Sequence, residues 1–463
     1  MKALKLSLII ILMMFVTVGL SGMAYAMHSG GTGYCEACHT MHNSLGGVSA
    51  RKGGTVDVGV NYLLKGSDQS STCLNCHASV TPQNTTTGNG ISIMTYPIPG
   101  ATAPYYRSPG GDFAWIGKTY GTGTQNPGYT HGHNINAIDY GLPVGSPLAT
   151  TAPGGTYLQS HLHCSSCHNP HSSSRLTGNP VSSSNEYNSI TSSGALQPSA
   201  IGPITGSGSS SGFGTIALPT PAAPLGVYRL LGDVGYVPVS YSGGSPFSNP
   251  PPVAVAPSTY NLTEATNEVR VAYGSGMSQW CANCHAAIYA NVATGSAGNH
   301  IHPNGPAALL TATANISGST TYSYANIYNA YISSGNLTGK QPTSYTSLVP
   351  YEEGISDMGT LGSHATYTAP MYTTAGPSTG TENVHCLTCH RAHASGFPQA
   401  TRWYNNYQFI TLAGGVWPGA TPGSSSNYMP QLDYQAAMYD HSASVFGTTG
   451  FQRPLCNKCH AKD

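Results

Sequence analysis

The stretch Cys164-Ser165-Ser166-Cys167-His168 is one of six copies of the pattern C-x-x-C-H, and together the copies use all 12 cysteines of the chain. On one turn of helix, positions i, i+3 and i+4 lie on the same side, so both thiols and the imidazole can address one flat group. This spacing is the attachment signature of c-type haem. The six copies are Cys35, Cys38 and His39; Cys73, Cys76 and His77; Cys164, Cys167 and His168; Cys281, Cys284 and His285; Cys386, Cys389 and His390; and Cys456, Cys459 and His460.

Two other readings of such a motif are a zinc site and a redox dithiol. A zinc protein would pair C-x-x-C units with each other and would not need a histidine after every second cysteine. A disulfide framework would not repeat this spacing. Six copies with no cysteine left over therefore predict six haem c groups, each held by two thioether bonds and by the motif histidine on one face of the iron.

Residues 1–26 are predicted to be a signal peptide. A basic start is followed by an apolar run that ends at Leu20, and a small-x-small cleavage site ends at Ala26. An uncleaved membrane anchor is the alternative. No later stretch reaches transmembrane length, so we expect no membrane span in the mature chain. We expect residues 27–463 to form one haem domain that is exported through the periplasm to the cell surface or beyond.

The composition predicts little regular secondary structure. Gly 57 and Pro 33 are high counts and only 7% of residues are charged, so we expect a mostly coil, irregular fold with few short helices and minimal β-structure. Six apolar macrocycles would supply the core, and Tyr 30 against Phe 8 suits rings that pack on porphyrin while the hydroxyl stays wet. With 16 basic and 16 acidic residues, nothing indicates nucleic-acid binding.

Local patterns predict a small number of elements. Helices are predicted at about 278–292, which carries the fourth motif, and at 264–273 (with Thr263 as N-cap), 325–333 and 432–439. Short helical turns are predicted at the other five motifs. The predicted strands are 227–231 and 237–241, the predicted loops are 172–220 and 415–427, and 238–257 is expected to be extended and proline-rich.

Thirteen histidines remain after six of the 19 are assigned to the motifs. Two histidines per iron would require six more, and this surplus favours histidine over methionine as the second axial ligand. His42, His171 and His393 each lie three residues after a motif histidine, which is too close to reach the far face of the same haem. If they are ligands they bind a different haem, and the same holds for His163 and His385. The close pairs at 131 and 133, 161 and 163, and 300 and 302 are expected to supply one ligand each.

Several stretches resemble the filament-forming hexahaem cytochromes of the OmcS type from metal-reducing bacteria. They include HSGGTGYCEACHTMHNSLGG from His28, LHCSSCHNPH from Leu162, RVAYGSGMSQWCANCH from Arg270 and CLTCHRAHASGF from Cys386. The resemblance spans the mature chain. It implies a coil protein wrapped on a continuous stack of six haems, and subunits that polymerise end to end. It also implies that His42 ligates the fifth haem, on His390, of a neighbouring subunit.

The resemblance also selects among the histidines. Ala78 and Ser79 stand where the family pattern has a further histidine. Two segments match the family poorly and are expected to be surface loops: 172–224 and 398–428. His131, His161, His385 and His441 lie outside the pattern. The candidates for the second axial ligand are His28, His42, His133, His163, His171, His302, His364 and His393, of which two are surplus to six irons.

The expected function is extracellular electron transfer by hopping along bis-histidine haems, with other cytochromes or extracellular acceptors as partners. A monomeric periplasmic or surface electron-transfer cytochrome is an alternative with the same haem chemistry. A multihaem reductase is a further alternative, but it needs an open iron position, and none of the six motifs replaces its histidine by lysine. We therefore expect no enzyme activity.

Overall fold

In the computed structural model, coil dominates and regular elements are short. No helix of the described segments is long and apolar enough to cross a membrane. The structure describes residues 38–40, 44–45, 48–49, 63–79, 92–121, 126–142, 150–170, 176–180, 187–189, 231–232, 234–238, 244–255, 271–290, 302–316, 320–330, 349–357, 360–361, 364, 377, 380–405, 407–418, 429–440, 443 and 455–460.

Helices carry the haem motifs, as the spacing predicts. The α-helices are α1 (Gln69–His77), α2 (Cys164–Cys167), α3 (Met277–Tyr289), α4 (Tyr324–Ala330), α5 (Cys386–Cys389) and α6 (Gln431–Ala437). Short 3-10 helices are Phe113–Gly117, Gly128–Thr130, Ile138–Tyr140, Gln159–His161, Pro398–Ala400 and Leu455–Lys458.

Three further helix predictions are confirmed, with adjusted ends. The segment at 278–292 is α3, the one at 325–333 is α4 as far as the structure describes it, and the one at 432–439 is α6. The last helix ends early because Tyr439 and Asp440 have positive φ angles of 56° and 62°, which a right-handed helix cannot contain.

The strands pair two by two. They are β1 (Ser44–Leu45) with β2 (Val48–Ser49), β3 (Ala78–Ser79) with β4 (Met94–Thr95), β5 (Leu176–Pro180) with β6 (Tyr187–Ser189), β7 (Val253–Val255) with β8 (Ala272–Ser275), and β9 (Thr313–Ile316) with β10 (Thr320–Ser323). The pair β3 and β4 is parallel and the others are antiparallel.

The strands correct two predictions. The helix at 264–273 is wrong at its end, because Ala272 and Tyr273 lie in β8, and the Tyr273 carbonyl accepts a hydrogen bond from the Glu353 N–H on its other side. The loop at 172–220 contains the β5–β6 pair. Of the predicted strand 227–231, Leu231 forms only an isolated bridge with His168, and Val237 and Pro238 of the strand at 237–241 are irregular. The rest of both segments lies outside the described residues.

An aromatic side-chain core joins the segment 92–142 to the segment 390–440. Trp417 stacks on Tyr434 with ring centres 5.0 Å apart, and Trp115 lies in the same cluster. The expectation that 398–428 is a surface loop is therefore wrong, because Trp403, Ile410 and Trp417 are buried in this core. Buried within it, Lys118 Nζ lies 2.8 Å from Asp433 Oδ2, which also accepts a hydrogen bond from the Tyr120 hydroxyl at 2.5 Å. This core holds the fifth motif in place, because α5 directly precedes the second of these segments and Cys389 packs against the core.

Candidate haem-binding sites

The described motif cysteines sit on helical turns, but in two motifs the histidine leaves the helix. In motifs three and five the histidine follows the helix with an extended backbone, at φ −104° and ψ 131° for His168 and φ −112° and ψ 160° for His390. In both, the histidine N–H still bonds to the carbonyl of the first cysteine, at 2.9 and 3.0 Å. The covalent spacing thus survives although the imidazole is not itself helical. None of the eleven cysteines that the structure describes forms a disulfide.

Successive motifs are spatial neighbours in chain order, as their thiols indicate. A hydrogen bond with the Cys164 thiol raises the pKa of Cys73, as do burial and the nearby Cys38. A hydrogen bond with the Cys386 thiol likewise raises the pKa of Cys281, together with burial. These interactions join motifs one to two, two to three, and four to five.

The remaining steps close the same series. Burial raises the pKa of the Cys167 thiol, and Cys284 adds to the rise. Burial raises the pKa of Cys389 to about 12, and Cys456 adds to it. Motif three therefore lies beside motif four, and motif five beside motif six. Each of the four inner motifs therefore has a neighbouring motif on either side.

Four histidine rings are locked in one tautomer by backbone carbonyls. The Nδ1 atoms of His133, His285, His302 and His390 donate to the carbonyls of Ala392, Pro153, Pro303 and Gln399 at 2.7, 2.8, 2.7 and 2.7 Å. A carbonyl can only accept, so Nδ1 carries the proton and Nε2 keeps a lone pair. This is the outer hydrogen bond that metal-ligating histidines usually make.

Two pairs of histidines have the separation of two axial ligands. The ring centres of His133 and His285 lie 6.1 Å apart, and those of His302 and His460 lie 5.9 Å apart. Two metal–nitrogen bonds of about 2 Å, with a metal between two imidazole rings, put ring centres about 6 Å apart. Each pair joins a motif histidine to one of the candidate ligands. The residues present therefore fit bis-histidine haem.

Burial lowers the pKa values of five histidines in these sites and so favours the neutral imidazole that metal binding requires. It lowers the pKa of His133 to about 4, with His285 adding to the effect. Burial also lowers the pKa values of His285, His390 and His460. For His393, burial lowers the pKa to about 3, and His168 adds to the shift.

The other candidate axial ligands have different surroundings. His393 is stacked on Phe113 with ring centres 4.6 Å apart, and His364 Nδ1 contacts a Glu353 carboxylate oxygen. His163 faces Asp68, with Nδ1 3.8 Å from Oδ1. The candidates His28, His42 and His171, like Cys35 and His441, lie outside the described residues.

Among the histidines outside the family pattern, His131 is a structural residue. Its Nδ1 is 3.0 Å from the Trp115 carbonyl and its Nε2 is 2.8 Å from Asn126 Oδ1, so no ring nitrogen is left for a metal. His385 differs: it is 1% exposed, and neither ring nitrogen has a hydrogen-bond partner among the residues the structure describes. The sequence excluded both from the candidate axial ligands for the same reason, since nothing in it distinguishes them.

Six C-x-x-C-H motifs in spatial order, with two pairs of histidines at axial-ligand distance, define a multihaem c-type cytochrome. No known protein-family profile matches the chain. It is 43% identical over 457 residues to the "C-type cytochrome OmcS" of Geobacter sulfurreducens, which covers 95% of each sequence. The chain therefore belongs to the family of OmcS.

Solved structures of that organism's protein share the fold. The chain matches "Outer Membrane Cytochrome S Filament" with a TM-score of 0.70 at 39% identity, and "OmcS nanowires" with a TM-score of 0.73 at 40% identity. In both cases 95% of this chain and 100% of the solved chain are covered.

Proposed function

We propose that this protein transfers electrons outside the cell along six c-type haems, as a subunit of a filament of identical chains. The observation that carries the proposal is the unbroken series of neighbouring motif thiols from Cys38 to Cys459. Six motifs that each contact only the motifs before and after them would place their haems in a line. Electron transfer from one end of the chain to the other requires such a line. The relatives named as filaments and nanowires support the assembly.

In this proposal the chain's residues hold and tune the cofactor. The 12 motif cysteines form the thioether bonds, and the six motif histidines bind the irons from one face. Haem c supplies a one-electron ferric/ferrous couple when bound. A second histidine on the opposite face leaves no coordination position for a substrate, so we infer electron transfer and no enzymatic reduction. The stack of haems would complete a core that the side chains form only in part.

The second axial ligands can be proposed in part from geometry. His133 would serve the haem on His285, and His302 the haem on His460, because each pair has the required separation. The other four irons would draw on His42, His171, His364 and His393, which leaves His28 and His163 as the surplus candidates. His42 would ligate the haem on His390 of a neighbouring subunit.

We also propose the route by which the chain reaches its place of work. Residues 1–26 would be removed on export, and 27–463 would fold as one domain outside the cytoplasm, at the cell surface or beyond it. Other cytochromes or extracellular acceptors would exchange electrons with the filament. Attachment of c-type haem outside the cytoplasmic membrane agrees with this route.

Negative-stain electron microscopy of the secreted, haem-stained fraction tests the proposal. Filaments that contain only this chain are the expected result. A monomer by size in the same fraction would contradict filament formation while leaving electron transfer intact. Cyanide or carbon monoxide binding to the assembled protein would reveal an open iron and would instead favour a reductase.

A further inference from the structure

Two pairs of motif helices are joined by the same backbone contact. In the first pair, α1 and α2, Ser70 Oγ accepts a hydrogen bond from the Cys164 backbone N–H at 3.0 Å. In the second, α3 and α5, Ser278 Oγ accepts one from the Cys386 N–H at 3.2 Å. Each serine precedes the first cysteine of its own motif by three residues, so the contact links motifs two to three and four to five in the same way.

In both pairs, a carboxylate accepts a hydrogen bond at the N-terminus of the first helix. Asp68 Oδ1 accepts a hydrogen bond from Ser71 N–H at 2.7 Å and so caps α1. Glu352 Oε1 accepts one from Met277 N–H at 2.7 Å, at the start of α3. Carboxylates at helix N-termini are stabilising because they satisfy free N–H groups and oppose the helix dipole. One carboxylate is local to its helix and the other is distant in sequence, yet both accept from the N-terminal turn of the first helix of their pair.

Each carboxylate also faces a histidine that immediately precedes the second motif of its pair. Asp68 Oδ1 lies 3.8 Å from His163 Nδ1, and Glu352 Oε1 lies 3.7 Å from His385 Nδ1. The two histidines begin their helices alike. The His163 N–H donates to Ser166 Oγ at 2.9 Å, and the His385 N–H donates to Thr388 Oγ1 at 3.0 Å.

We propose that His163 and His385 are equivalent positioning residues and that neither is an iron ligand. Each histidine ring packs beside its carboxylate without a hydrogen bond between them. With the serine that binds the cysteine N–H, this packing forms a clamp that holds the second motif of a pair against the first. The clamp sets the separation of the two neighbouring thioether sulfurs, Cys73 with Cys164 and Cys281 with Cys386. It thereby sets how closely haems two and three, and haems four and five, approach.

The proposal rests on six haems being bound as proposed above, and it deepens that function by naming what sets the spacing of the cofactors. Both clamps act on the N–H of a haem-bound cysteine, so a displaced clamp would move the covalent anchor of a haem. The clamps occur at the second-to-third and fourth-to-fifth steps. Electron transfer along the chain would then depend on the two clamps at His163 and His385.

The test uses the haem-loaded full-length protein with His163→Gln and His385→Gln. Two readouts are measured: the iron spin state, and the bisignate Soret circular dichroism that arises from coupling between neighbouring haems. We expect six low-spin haems per chain in both variants, with partial loss of the bisignate signal. His131→Gln is the control, since it is a buried histidine whose ring nitrogens bond to Trp115 and Asn126. It should lower stability and leave the signal unchanged.

Ser70→Ala and Ser278→Ala test the same clamps if a histidine variant does not fold. Each removes one hydrogen bond, and Ser278→Thr, which keeps the hydroxyl, should restore the signal. A high-spin iron in a histidine variant would show that the residue is a ligand and would overturn the proposal. An unchanged Soret signal in the serine variants would overturn it as well. Neither result bears on haem count or filament formation, which test the proposed function separately.

Discussion

The imidazole rings of His302 and His460 lie nearly perpendicular to each other with centres 5.9 Å apart, although the two residues are far apart in the chain. Tyr324, at the start of α4, packs its ring edge against His460 with centres 5.7 Å apart. The Nδ1 atom of His302 donates to the Pro303 carbonyl, which leaves Nε2 for a metal. This arrangement makes His302 the best-defined candidate for the second ligand of the sixth haem.

Replacing His302 by Ala should convert one low-spin iron per chain to high spin. The six thioether-linked haems should remain, because no C-x-x-C-H motif is changed. Electron paramagnetic resonance and the optical spectrum of the purified ferric protein measure the effect. His161→Ala, at a histidine outside the family pattern, is the matched control and should leave every iron low-spin. Six low-spin irons in the His302 variant would refute the assignment.

Haem stoichiometry is the most direct test of the prediction that each C-x-x-C-H motif binds one haem c. Pyridine haemochrome should give six haems per chain, because six motifs use all 12 cysteines. The denatured protein should contain no thiol that reacts with Ellman's reagent. A count of five, or one reactive thiol, would show that a motif serves another purpose.

Replacing His42 by Ala should weaken polymerisation and leave one high-spin iron per chain. The reason is that the haem on His390 would lose a ligand supplied by the neighbouring subunit, while each monomer could still fold around its own haems. Filament length by electron microscopy and spin state are measured together. His441→Ala, outside the family pattern, should change neither. Long filaments with six low-spin irons in the His42 variant would remove the inter-subunit role.

The buried pair of Lys118 and Asp433 should be sensitive to the loss of either charge. Asp433→Asn would leave the lysine ammonium buried without its carboxylate, which is expected to lower the free energy of unfolding by about 3–5 kcal/mol. Denaturant unfolding of the haem-loaded protein measures the loss. Replacing both residues with apolar ones of similar size (Lys118→Met with Asp433→Leu) should recover most of it. A loss as large in the double variant would mean that packing, and not the unpaired charge, is responsible.

The helix predictions show where local patterns suffice. The segment predicted at 278–292 became α3, because apolar and alanine residues flank a motif that itself requires a helical turn. The predicted helix at 264–273 failed at Tyr273, whose backbone is bonded to β7 on one side and to Glu353 on the other. Those partners are distant in sequence, so propensity within the segment could not reveal them.

The candidate ligands show the same division. The surplus of histidines predicted bis-histidine ligation, but the sequence could not show that the His133 and His285 rings lie 6.1 Å apart, because that separation depends on how remote loops pack. It also could not separate His131 from His385, two histidines outside the family pattern. The first is satisfied by Trp115 and Asn126, while the second lies buried beside Glu352.

The sequence by itself determined the attachment chemistry, since two thiols and an imidazole within five residues are held at fixed spacing by the covalent chain. Composition likewise determined a coil-rich fold, because so many glycines and prolines disfavour long helices and sheets. Only the tertiary structure decided which histidines face each other and which motifs are neighbours. Those relationships join residues such as Ser278 and Cys386 across long loops, and their geometry is set by packing and hydrogen bonds that no local pattern encodes.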